Sequence, residues 1–274
     1  MKKFFPFLLS ACCLTTAVLF AAPVRSNLGG DGEEYGESPE STAVLYVQDG
    51  LIAMWDAIEN ADWGVHNPNG FPVNLVTGEH DVPFERFSSI EILPDALIIR
   101  GNTTVMSPPL SAIDGDFPYI TGEWNVAMMR EDNTTSSLDI WTAIGDAGTA
   151  WSLNLYLQSS KMTFCRGNNY HGYNIAKGSG EWADGVFSAR VSVNKSSDAE
   201  YNLAEYFVDG VLKYSANRSA WSFNSYAILN PPKLVVRVLN NSVMVIRNIR
   251  LYNRALTPEE IQYNYQIDKA RFGE

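Results

Sequence analysis

Short runs with a period of two constrain this chain more than any other feature. Trp151, Leu153, Leu155 and Leu157 alternate with Ser152, Asn154, Tyr156 and Gln158, and upstream Leu138 and Ile140 alternate with Asp139 and Trp141. Such alternation marks strands with one buried face. Folding the two runs over "GDAGTA", with Ile140 opposite Leu155, gathers the aliphatic residues on one face. Asp139, Trp141, Asn154 and Tyr156 fall on the other. The next run, "KMTFCR", continues the pattern: Met162 and Phe164 join the aliphatic side, Thr163 and Cys165 the polar side. A slip of one residue would scramble both faces, so the parity is strongly selected.

Other stretches read the same way. In "FSARVSV", Phe187, Ala189, Val191 and Val193 share a face opposite Ser188, Arg190 and Ser192, and "WNVAMM" (124–129) also alternates. "YFVDGVLKY" places Asp209-Gly210 between two apolar runs, a two-residue hairpin signal because both turn positions need positive φ. "IRLYNRALTPEEIQYNY" (249–265) predicts a strand followed by a helix from Pro258 to about Ala270. Thr257 is placed as N-cap, Pro258 as the first helical residue and Glu260 as the capping-box partner. No repeat of 20 to 50 residues is present, which argues against a propeller or solenoid. Many short strands and one convincing helix predict an all-β, antiparallel two-sheet sandwich.

The first residues predict export. Lys2 and Lys3 precede the apolar run Phe4–Ala22, and the next charge is Arg25. Residues 1–22 read as a signal peptide cleaved near Ala21 or Ala22. Two alternatives stay open: an uncleaved anchor, since the uncharged run can span a bilayer, and a lipoprotein box at "LSAC" modified on Cys12. Residues 23–43 are rich in Gly, Ser, Pro and Glu and read as a flexible acidic linker. Residues 44–274 form the folded domain. Cys165 is the one cysteine outside the leader, so neither an intrachain disulfide nor a cysteine zinc site is expected in the mature chain. With a formal charge of −11 and no basic run, the chain is a poor partner for nucleic acid or an anionic bilayer. Membrane attachment is expected only through the N-terminal segment, if it is kept.

Three stretches resemble a known family. "DGLIAMWDAIENADWGVHNPNG" (49–70) is similar to the opening strand and first loop of bacterial laminin-G-like domains, "EYFVDGVLKYS" to their late hairpin, and "VIRNIRLYNRALTPEEIQYNYQIDKARF" to their closing strand and terminal helix. The resemblance covers roughly residues 44 to 272. It implies the curved jelly-roll sandwich of the concanavalin A-like lectin and glucanase superfamily, with the terminal helix packed through Ile261, Tyr265 and Phe272. It also implies a secreted or periplasmic protein, or one on the bacterial cell surface. The family's members often bind carbohydrate or protein, and some bind calcium.

The candidate residues follow from chemistry. A sugar site wants an aromatic ring to stack on C–H groups, with amides and carboxylates to orient hydroxyls. Trp141 and Tyr156 beside Asp139 and Asn154 meet that description, as does the loop "RGNNYHGYN" with Asn168, Tyr170, His171 and Tyr173. No cofactor is required. Calcium stays open at Asp114 and Asp116, or at Glu131 and Asp132, which are hard oxygen donors on expected loops. The superfamily's paired-carboxylate string E-x-D-x-x-E is absent, and "SLDIWTA" offers Asp139 alone. "DAGTAW" is a single Asp-box, which is turn chemistry. His66, His80 and His171 accompany no nucleophile elbow. The expected function is a non-catalytic binding module for a glycan or a surface protein. The alternatives are an adhesive protein-interaction domain and, third, a glycosidase with dispersed carboxylates.

Overall fold

The computed structural model describes residues 45–58, 90–101, 103–106, 119–130, 138–145, 153–158, 161–166, 169–170, 175–176, 181–192, 203–217, 233–239 and 242–273. The expected leader and acidic linker lie outside them, as do Asp114, Asp116, Glu131, Asp132, Asn168, His171 and Tyr173. The strands are β1 (Leu51–Asp56), β2 (Ile90–Ile92), β3 (Leu97–Arg100), β4 (Thr103–Met106), β5 (Tyr119–Arg130), β6 (Leu138–Gly145), β7 (Leu153–Gln158) and β8 (Lys161–Arg166). After these come β9 (Asn169–Tyr170), β10 (Ile175–Ala176), β11 (Ala183–Ser192), β12 (Leu203–Val208), β13 (Val211–Asn217), β14 (Lys233–Val238) and β15 (Ser242–Tyr252). One helix, α1 (Pro258–Phe272), closes the described chain. No helix among the described residues is long and apolar enough to cross a membrane.

The strands form two antiparallel sheets, the sandwich that the alternation predicts and the family resemblance describes as a jelly roll. One has eight strands in the order β13-β12-β11-β5-β15-β3-β2, with β1 also pairing β15. The other has seven, in the order β10-β8-β7-β6-β14-β4, with β9 on β8. The core lies between them. Trp55, Ile99, Trp124, Phe187, Tyr206 and Ile249 come from the first sheet, and Leu155, Leu234, Val236 and Val238 from the second. Burying each such side chain contributes about 1.5–3 kcal/mol.

From Ile140 onward the hairpin of β6 and β7 keeps the expected parity but not the expected pairing, while Leu138, beyond a register break, lies opposite Gln158 of the polar set rather than on the aliphatic face. Ile140 faces Leu157 and Thr142 faces Leu155, a shift of two residues from the Ile140–Leu155 pairing. A shift of two preserves both faces, and Leu155 is fully buried, as its face requires. The register also breaks between Leu138 and Ile140, which takes Asp139 out of the regular ladder. The strand β8 follows as predicted, with Phe164 opposite Leu155 and Thr163 opposite Tyr156.

The hairpin at Asp209-Gly210 forms as predicted, with φ of 52° and 72°. Asp209 does more than turn the chain. Its N–H donates to the Val186 carbonyl (2.8 Å), and its carboxylate accepts from the Val186 N–H (3.0 Å). A Cβ on Gly210 would collide with Gln262 of α1 and stand 3.2 Å from the Tyr265 ring. The turn is thus pressed against the helix. Gly210→Ala combines a strained φ with that collision and should lower stability by about 2–3 kcal/mol in chemical denaturation. An unchanged midpoint would show that the hairpin and helix part freely.

Candidate functional site

The side of the eight-stranded sheet that faces away from the core is covered by α1. The helix starts as predicted: Thr257 Oγ1 accepts from the Glu260 N–H (3.2 Å) and Glu260 accepts from the Thr257 N–H (2.8 Å). Arg254 grips the same carboxylate at 2.6 and 2.8 Å. The packing differs from the expected Ile261–Tyr265–Phe272 seam. Ile261 is buried, but its buried companions are Asn264 and Asp268, while Tyr265 and Phe272 are half-buried. The reason lies beneath them, where the sheet presents charge rather than an apolar surface.

Arg250 stands at the centre of that surface and is fully buried. Its Nε donates to Glu123 Oε2 (2.9 Å), and Nη1 and Nη2 donate to the two oxygens of Asp268 (2.8 and 2.7 Å). Asn264 donates to Glu123 (2.7 Å) and to the Tyr252 hydroxyl (3.0 Å), and accepts from the Val47 N–H (3.0 Å). Tyr46 donates to Asp268 (2.8 Å), and its ring lies 4.1 Å from the Arg250 guanidinium. Asn248 donates to Asp268 (2.6 Å), and Arg271 clamps Asp56 at 2.5 and 3.0 Å. Two carboxylates share one cation here, but both are sealed from solvent. They cannot flank a substrate and do not form a glycosidase pair.

The seven-stranded sheet carries the residues singled out from sequence. Trp141 and Tyr156 are directly opposed in mid-sheet. Asn154 pairs with Ala143 on one side and Cys165 on the other, and Cys165 pairs with Tyr170. The register therefore places Tyr170 of the "RGNNYHGYN" loop in the neighbouring row, two strands from Tyr156 and three from Trp141. Asp139 sits at the register break. Among the described residues no cluster of three or more His, Cys, Asp or Glu gathers for a metal ion.

One feature escapes the reading of the sequence, which leaves a second, Trp182, undecided. Arg237 of β14 is exposed and lies in register with Trp141 on one side and Thr104 on the other. Its signal was available: Arg237 is the polar interruption of "KLVVRVL", between buried Val236 and Val238. Trp182, just ahead of β11, is 40% exposed, two residues from Asp184, which holds Arg247 at 2.7 and 3.2 Å.

No protein-family model matches the sequence, and no curated protein matches it. Solved structures do share the fold. The binding domain of botulinum neurotoxin DC in complex with rat synaptotagmin II aligns with a TM-score of 0.54 at 11% identity, over 80% of this chain and 51% of that one. The same domain in complex with SialylT gives 0.52 at 11%, over 80% and 52%. A structure of botulinum neurotoxin type C, which depends on interaction with two ganglioside molecules to enter cells, gives 0.56 at 11%, over 83% and 53%. The chain spans about half the length of these structures, and at such identity the likeness is one of fold.

The buried cluster has a pH signature. Burial pushes the Glu123 carboxyl up, outweighing the pull of Arg250. A raised native pKa gives stability that is complete below the ordinary glutamate range and is lost as pH rises through the native value. Glu260 shifts down, chiefly through Arg254, and so acts in the opposite sense. Its contribution cancels when two proteins are compared at one pH. Glu123→Gln can keep the bonds to Arg250, Asn264 and Ser188 without the charge. Relative to the native protein it should gain stability in denaturant titrations as pH rises above the ordinary glutamate range. Arg250→Ala strands two buried carboxylates and should cost about 3–5 kcal/mol at neutral pH. A Glu123→Gln protein that weakens relative to the native one as pH rises would contradict this account.

Proposed function

We propose that this is an exported, non-catalytic binding module of laminin-G-like type that recognises carbohydrate, or another cell-surface macromolecule, on the outer side of its seven-stranded sheet. The observation that carries this reading is the cross-strand pairing of Trp141 with Tyr156 in mid-sheet. Aromatic residues on adjacent strands offer a platform about 5 Å per strand, a scale suited to sugar rings. Asn154 and Tyr170, one row away, supply amide and hydroxyl groups to hold sugar hydroxyls. Asp139, at the register break, and Asn168, His171 and Tyr173, outside the described residues, are included in the proposal as further ligand contacts, with calcium at Asp114 and Asp116 as an accessory. The fold shared with neurotoxin binding domains, two of them described with ganglioside or SialylT, supports a binding role. Such modules hold ligands weakly and gain strength through multiple copies.

The adhesive alternative wants a flat apolar patch on an outer sheet. On the eight-stranded sheet, α1 and the Arg250 cluster occupy that ground, which favours the glycan reading. A glycan array probed with the purified protein, with calcium and with chelator, tests it. Saturable binding that Trp141→Ala weakens at least tenfold, with an unchanged circular dichroism spectrum, is expected. Sensitivity to chelator would assign calcium to the site. Absence of binding to every glycan would overturn the reading in favour of a protein-binding domain.

A further inference from the structure

We propose that the ligand is an acidic saccharide and that Arg237 receives its carboxylate; the inference rests on the glycan-binding reading above. Three observations carry it. First, Arg237 belongs to one cross-strand row, Thr104–Arg237–Trp141–Tyr156–Thr163, that runs through five neighbouring strands. Successive positions in such a row lie about 4.8 Å apart, so the guanidinium-bearing strand stands one strand from Trp141 and about 10 Å from Tyr156. A sugar stacked at the aromatic pair can place a carboxylate at Arg237.

Second, Arg237 has no acidic partner among the described residues, in a chain with a surplus of acidic groups. The other arginines with described side chains are all engaged: Arg100 with Glu91, Arg190 with Glu205, Arg247 with Asp184, Arg250 with Glu123 and Asp268, Arg254 with Glu260, and Arg271 with Asp56. Among the arginines with described side chains, Arg237 is the exception. A planar guanidinium takes a carboxylate through two parallel N–H···O bonds, so the vacancy fits a carboxylated ligand better than a neutral one.

Third, the surface changes at this point. Val236 and Val238 point into the inter-sheet core, whereas Val235, of the same parity as Arg237, is fully buried outside that core cluster. The outer side of β14 is thus covered at Val235 and open two residues later at Arg237. The exposed guanidinium is therefore open to a ligand on that side of the sheet. The overall charge of −11 repels anions at a distance, but screening limits that to about 8 Å at physiological salt. Contact with Arg237 decides the preference.

The test uses the full chain and two probes, sialyllactose and a hyaluronan tetrasaccharide, each compared with its carboxyl-reduced form by calorimetry. The native protein should bind at least one acidic form about tenfold or more tightly than its reduced counterpart. In Arg237→Ala that ratio should fall to near one, and Arg237→Lys, which keeps the charge but not the fork, should give an intermediate ratio. Thermal melting checks that the variants stay folded; Arg237 is exposed, so little change is expected. Equal binding of acidic and reduced forms by the native protein would overturn the inference and leave the glycan reading intact. The same holds for an acidic preference that survives Arg237→Ala. Failure of both forms to bind, together with an array on which no glycan binds, would overturn both.

Discussion

A single guanidinium, that of Arg250, ties together the parts of this fold that are farthest apart in sequence. Through Glu123 it holds the central strand β5, and through Asp268 and Asn264 it holds the terminal helix. Through Tyr46 and Asn248 it reaches the first described residues and the last strand. Taking such a charge out of water costs several kcal/mol, and the arrangement is stable only because every group around it is paired. That requirement makes the contact selective. Ile261 seats the helix, but the charges determine its rotation and its position along the sheet.

The cluster also divides the labour between the two sheets. With α1 docked, the outer side of the eight-stranded sheet is closed over Glu123, Arg250 and Tyr252. The Asp209-Gly210 turn presses on the helix from one side, and Arg190 donates to the Leu256 carbonyl (2.6 Å) just ahead of it. The proposed recognition surface is the seven-stranded sheet, where Trp141, Tyr156 and Arg237 stand in one row. The fold is shared with binding domains of far larger extent, but function resides in the side chains of this chain's own face.

Local periodicity made the architecture legible. The parity of β6, β7 and β8, the Asp-Gly hairpin and the capping box at Thr257 all follow from neighbouring residues, and each formed. Long-range polar contacts were not legible in the same way. Glu123 in "TGEWNV" and Arg250 in "NIRLY" look like solvent-facing positions of half-buried strands, because alternation tells which residues share a face and not what covers it. Asn264 and Asp268 follow Ile261 at three and seven residues, so they lie on its side of the helix. Polar residues there usually face solvent, which drew attention instead to Tyr265 and Phe272. The two-residue shift between β6 and β7 was invisible for a related reason: from Ile140 to Ile144 the faces are identical in both registers.

The most direct test of this division is hydrogen exchange on the protein, free and saturated with the oligosaccharide that gives the strongest array signal. Ligand should slow exchange in residues 138–145, 153–158 and 233–238, and leave 242–252 and 258–272 unchanged. Protection concentrated on the last strand and helix, with none on the seven-stranded sheet, would contradict the account.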